Sequence, residues 1–129
     1  MSIPIVTCFF VGLLAIMQVP MTVMVGYRRL KTGIQFLDGG DVVLLRRMRA
    51  HANFTETVPM VLLAMAAAEI TGLPAWALWT GGASLVIGRL LHAVILVRHG
   101  WGNGRAFGML MTFAPMLGFG AWSVYRSLF

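Results

Sequence analysis

Residues 3–27 contain no charged side chain. At about 1.5 Å of rise per residue, a helix over that run crosses the roughly 30 Å of bilayer hydrocarbon. Three more apolar runs follow: residues 57–68, uncharged; residues 75–97, interrupted only by Arg89 and His92; and residues 106–125. The helix carrying the second run is predicted to start earlier, near Val42 or Arg46, outside the membrane. Only 11% of the chain is charged, against about a quarter in a soluble domain. Such a chain cannot clothe itself in polar surface, so lipid is the solvent that fits it. The fold class is therefore all-α integral membrane, a bundle of four transmembrane helices, read as a single domain over residues 1–129.

Punctuation supports four helices. Pro74 suits the first turn of the third, and "RHGWGNGR" at 98–105, with its three glycines, reads as the loop before the fourth. Pro20, Pro59 and Pro115 fall inside helices one, two and four, where they are expected to kink them. Residues 1–20 show neither the basic start nor the small-residue cleavage site of a signal peptide, and are read as part of helix one.

The net charge of +6 is distributed unevenly. Arg28, Arg29, Lys31, Arg46, Arg47 and Arg49 lie between helices one and two, Arg98 and Arg105 between three and four, and only Arg126 on the opposite side. Basic loops stay in the cytoplasm, so both termini are expected outside. This pattern fits a membrane better than nucleic acid. The lone Cys8 rules out an internal disulfide and a Cys-x-x-Cys centre, and four acidic residues are too few for a carboxylate metal cage. His51 and His99 read as a cap or loop contact and a solvated side chain, which leaves a weak case for zinc.

The polar residues near the apolar runs carry the functional reading. Arg46, Arg49, Asn53 and Glu56 are spaced three, four and three apart, so they share one helical face, predicted to point away from Leu45 and Phe54. Arg89 and His92 stand one turn apart in helix three. An arginine facing lipid at that depth costs at least about 2.5–3.5 kcal/mol, so Arg89 is expected to face the bundle beside an acid. Glu56 is the leading partner. Such a pair can be purely structural, but one carboxylate cannot neutralise Arg49, Arg89 and Arg105 together. The cationic surplus calls for an anionic ligand. Gly81, Gly82, Ala83 and Ser84, and separately Gly118 and Gly120, are small enough for close helix approach, at a subunit boundary or within the chain.

At these residues the chain resembles a known family. "DGGDVVLLRRMRAHANFTETVP" is similar to the loop and second helix of the membrane-associated proteins in eicosanoid and glutathione metabolism, the MAPEG family, and "IGRLLHAVIL" to their third helix. The resemblance covers nearly the whole chain and matches the bacterial branch. Its most specific part is Arg-x-x-x-Asn-x-x-Glu at Arg49, Asn53 and Glu56. The resemblance implies a homotrimer in a bacterial inner membrane, with glutathione bound between subunits near the cytoplasmic side. It implies that Arg49 holds the carboxylate end of the tripeptide, that Asn53 and Glu56 orient it, and that Glu56 receives its ammonium group. Arg29, Arg89 and His92 match further glutathione-binding positions, and Arg105 the catalytic arginine that stabilises the thiolate. Relatives with transferase activity carry tyrosines where this chain has Thr57 and Leu96.

The implied function is a membrane-bound glutathione (thiol) transferase or peroxidase-like detoxification protein, with glutathione as co-substrate and thiolate attack on a lipophilic electrophile. The chemistry is physically sound, since a free thiol with a pKa near about 8.5 needs a fixed cation to become thiolate at neutral pH. Two other classes stand beside it. A small multidrug-type transporter depends on a carboxylate deep in helix one, where this chain has only Gln18. A non-catalytic assembly protein explains an ion pair but not the surplus of cations.

Overall fold

The computed structural model describes residues 3–129. Helix α1 spans Ile5–Thr32, α2 Val42–Ile70, α3 Ala75–His99 and α4 Asn103–Leu128. Helices α1, α3 and α4 are long and apolar enough to cross a membrane. Helix α2 is as long, at 29 residues, but carries Arg46, Arg47, Arg49, Glu56 and Glu69. Together they form a four-helix membrane bundle. Two helix starts have a local cause. The Asp41 carboxylate accepts the Leu44 N–H at 2.6 Å and so caps the start of α2. Pro74 immediately precedes α3, and α2 and α4 run unbroken through Pro59 and Pro115, as α1 does through Pro20.

The basic residues lie on helices rather than in loops, contrary to expectation. Arg28, Arg29 and Lys31 occupy the end of α1, and Arg46, Arg47 and Arg49 the start of α2, leaving residues 33–41 as the loop. The turn between α3 and α4 is only Gly100–Gly102, with Arg98 in α3 and Arg105 in α4. Long cationic side chains can carry their charge off a helix end into the interface, so a positive cluster does not require a loop.

Helices α2 and α3 form the central pair, each packing against all the others, while α1 and α4 flank them without touching. Phe10 and Leu14 of α1, Phe54, Val58, Val61 and Met65 of α2, Leu78 and Leu85 of α3, and Phe119 of α4 make the buried apolar cluster. In lipid such a cluster is held by close packing rather than by expulsion of water. Small residues allow it. Gly81 lies against the Phe119 ring and Gly82 against that of Phe10, so the α3 cluster of small residues is an internal contact. A methyl group on Gly88 would lie 2.8 Å from the Gly108 carbonyl oxygen, and one on Gly108 2.7 Å from that of Gly88. The backbones of α3 and α4 meet there. Gly118 and Gly120 have open space beside them.

Polar ties also join α1 to α2. The Glu69 carboxylate accepts hydrogen bonds from the backbone N–H groups of Val6 and Thr7, at 2.8 and 2.7 Å, and from the Thr7 hydroxyl at 2.7 Å. It thereby caps the start of α1 from the end of α2. The His51 ring lies 3.0 Å from the Thr22 hydroxyl of α1, which replaces the expected cap or loop contact.

Candidate functional site

The arginine-rich end of the bundle encloses a cavity of about 470 Å³ between α2, α3 and α4. Arg46, Arg49 and Asn53 reach it from α2, His92 and Leu96 from α3, and Arg105 and Met109 from α4. The structure therefore brings together four residues singled out by spacing and resemblance: Arg49, Asn53, His92 and Arg105. Two others lie elsewhere. The Arg29 Nη1 donates to the backbone carbonyls of Ile34, Gln35 and Leu37, at 3.2, 3.0 and 3.0 Å, so it organises the α1–α2 loop. Glu56 is exposed on the outside of α2 and does not line the cavity.

Arg89 stands directly behind the cavity and is only 2% exposed. Its Nη1 donates to the Asn53 side-chain carbonyl and, at 3.4 Å, to the Thr57 hydroxyl. Its Nη2 donates to the Gly108 carbonyl and approaches the Met109 sulfur, both at 3.2 Å. The expected Arg89–Glu56 ion pair is absent. Glu56 follows Asn53 by three residues, which turns it about 60° around the helix to the exposed side. Neutral acceptors meet both Nη groups while the buried Nε has no partner, and the charge of the guanidinium is left in place. Among the described residues the one ion pair is Arg28–Asp41, at 2.6 Å, and neither residue lines the cavity. There the Arg28 guanidinium, aided by the Leu44 N–H, holds the Asp41 carboxyl below the usual carboxylate range.

Two of the cations at the cavity, Arg105 and Arg46, are positioned by contacts of their own. The Arg105 guanidinium carbon sits 4.4 Å from the centroid of the Trp101 ring, a cation–π contact. The Arg46 Nη1 donates to the Arg98 carbonyl at 3.2 Å, at the unsatisfied end of α3. Gly100 makes room for it: with φ at 75° it ends α3, and a methyl group there would lie 2.7 Å from the Arg46 Nε. His92, 4% exposed, also faces the cavity.

Sequence reasoning missed several members of this set. Leu45 lines the cavity instead of facing away, because it stands four residues before Arg49 and so on the same side. The same spacing marks Met109 after Arg105 and Thr57 after Asn53. Trp101 carried no such signal, since its contact with Arg105 depends on how the short turn folds. The result is a cationic cavity, with three guanidinium groups among its lining residues, a fourth behind Asn53, and no carboxylate in its lining. Leu45, Leu96 and Met109 supply an apolar wall.

A four-helix membrane bundle with a cationic cavity at one end is thus the class of protein defined by the fold. The MAPEG family model matches residues 7–125, and the chain belongs to that family. It is an integral membrane protein. Over 64 residues it is 31% identical to the inner membrane protein YecN of Escherichia coli strain K12, and equally to YecN of strain O6:H1. That match covers 50% of this chain and 49% of YecN, so it spans about half the length of these relatives.

Proposed function

We propose that the cavity binds glutathione as co-substrate and that the protein transfers its thiolate to a lipophilic electrophile. The observation that carries this reading is that Arg46, Arg49 and Arg105 line one cavity with no carboxylate among the lining residues. Arg49, with Arg46 beside it, holds the carboxylates of the tripeptide. Arg105 faces the sulfur and favours its anion, because a guanidinium does not give up its own proton. The thiol proton passes to water, the sulfur–carbon bond forms, and the leaving group departs with its electron pair. The electrophile arrives from the bilayer along the apolar wall of Leu45, Leu96 and Met109.

Family membership and the exposed Glu56 support assembly as a homotrimer. A carboxylate on the outside of α2 is costly against lipid and is suited to a neighbouring subunit or to the ammonium group of a ligand held between subunits. The likeness to an inner membrane protein and the gathering of cations at one end support an inner-membrane location, with the cavity on the cytoplasmic side and both termini outside.

Thermal-shift titration of the purified protein with glutathione and with S-methylglutathione tests the binding site. A ligand specific to the folded state stabilises it by about 2.7 kcal/mol at a hundred times its Kd. Stabilisation by both compounds, lost in Arg49→Ala, is expected. No stabilisation by either would rule the reading out.

A further inference from the structure

We infer that the α1–α2 loop presents Phe36 and Leu37 as an apolar foot that seats in the lipid interface, with Arg29 holding the loop in shape. This inference does not depend on the thiol chemistry.

The loop is built rather than slack. Three carbonyls, those of Ile34, Gln35 and Leu37, converge on the single Nη1 of Arg29. Drawing the carbonyls inward leaves the adjoining side chains outside, where Phe36 is 86% and Leu37 79% exposed. Leu37 has φ at 53°, the left-handed region that bulky side chains rarely adopt. Its own carbonyl is one of the three that Arg29 holds. Gly39 closes the loop against Ile34, and a methyl group there would lie 2.9 Å from the Ile34 Cδ1. A strained residue persists only where its surroundings fix it, and here the fixed conformation displays two adjacent apolar side chains.

Lipid is the occupant because the foot continues the lipid-facing surface of the bundle. Val19, Val23, Tyr27 and Leu30 are exposed, at 61%, 60%, 61% and 85%. Spaced four, four and three residues apart, they form one stripe down α1 that ends where the loop begins. Charge points the same way. Lys31 is exposed between the stripe and the foot, and of the two loop carboxylates Asp41 is paired with Arg28 while the half-buried Asp38 turns back to accept the Gly40 N–H at 3.3 Å. An exposed ammonium beside apolar side chains suits an anionic headgroup above an acyl chain.

The test places a nitroxide at the foot. In a Cys8→Ser background, Phe36→Cys and Leu37→Cys are each labelled and reconstituted into vesicles of phosphatidylcholine and phosphatidylglycerol. Spin-relaxation accessibility to oxygen, which concentrates in lipid, is compared with that to a water-soluble nickel chelate. An oxygen-to-nickel ratio several-fold above that of the free label in water is expected at both sites, and Arg29→Gln should narrow the line shape as the loop loosens. A ratio equal to that in water would overturn the inference. Low access to both reagents would overturn it as well, since protein would then cover the foot. An unchanged line shape in Arg29→Gln would remove Arg29 from its role.

Discussion

The guanidinium of Arg89 is held by the side-chain amide of Asn53, one helix away, and not by a carboxylate. This pairing joins α2 to α3 at the back of the cavity and leaves a positive charge there. Asn53→Leu should therefore destabilise the protein by about 1–3 kcal/mol, by stranding a buried charged donor. Adding Arg89→Leu should recover part of the loss, with a coupling of about 0.5–3 kcal/mol in a double-mutant cycle. Unfolding in mixed detergent micelles provides the measurement. The cycle between Glu56→Gln and Arg89→Leu should show no coupling, and strong coupling there would restore the ion pair that the structure lacks.

The contact between Gly88 and Gly108 sets a second expectation. Gly88→Ala and Gly108→Ala each place a methyl group against the facing backbone and should cost about 1–3 kcal/mol. Gly118→Ala meets open space and should stay within about 0.5 kcal/mol of the parent. Alanine is the better helix former, so propensity alone would stabilise all three variants, and equal losses at all three positions would show that the Gly88–Gly108 approach does not set the cost.

Some of this arrangement was legible in the sequence. Four apolar runs announced four helices because hydrocarbon thickness dictates run length, and intervals of four residues placed Arg49 and Asn53 on one face. The partner of Arg89 was not legible. Asn53 and Glu56 differ by only part of a turn, and the rotation of α2 against α3, which is a matter of tertiary packing, decides between them. Arg29 looked like a ligand contact because its position at the end of α1 matches a basic residue of the family. Its capture by three loop carbonyls follows from the backbone path through Leu37 and Gly39, which no spacing rule reports. The role of Glu69 was not legible either. Its capping of α1 required that helix ends some sixty residues apart in the chain meet.

Asp41 gives the fold a pH dependence outside the membrane. Its folded pKa is lowered, first by the Arg28 hydrogen bond and then by the Leu44 N–H. The stabilisation is therefore fully present above the unfolded value of about 3.9 and is lost as pH falls through the lower folded value. The Tm difference between the parent and Asp41→Asn should hold steady from neutral pH to about 4 and shrink below it. A difference that stays constant well below that point would mean that the carboxylate charge contributes nothing.

The exposed Glu56 bears on assembly. Mass measurement in mild detergent should give a trimer, and a monomer at high protein concentration would count against a neighbouring subunit covering this face.

The role of Arg105 is the most direct test of the proposed chemistry. It stands in the first turn of α4, where the helix end adds partial positive charge to its own, and Trp101 fixes its guanidinium. Thiolate absorbance near the ultraviolet edge, followed against pH with glutathione bound, reads its effect on the sulfur. The parent should show a thiolate at neutral pH. Arg105→Ala should titrate higher and slow conjugation of a model aryl halide by about ten- to a thousand-fold, with Arg105→Lys between them. The same titration curve for the parent and Arg105→Ala, or no thiolate signal in the parent, would contradict a thiol transferase built on this cavity.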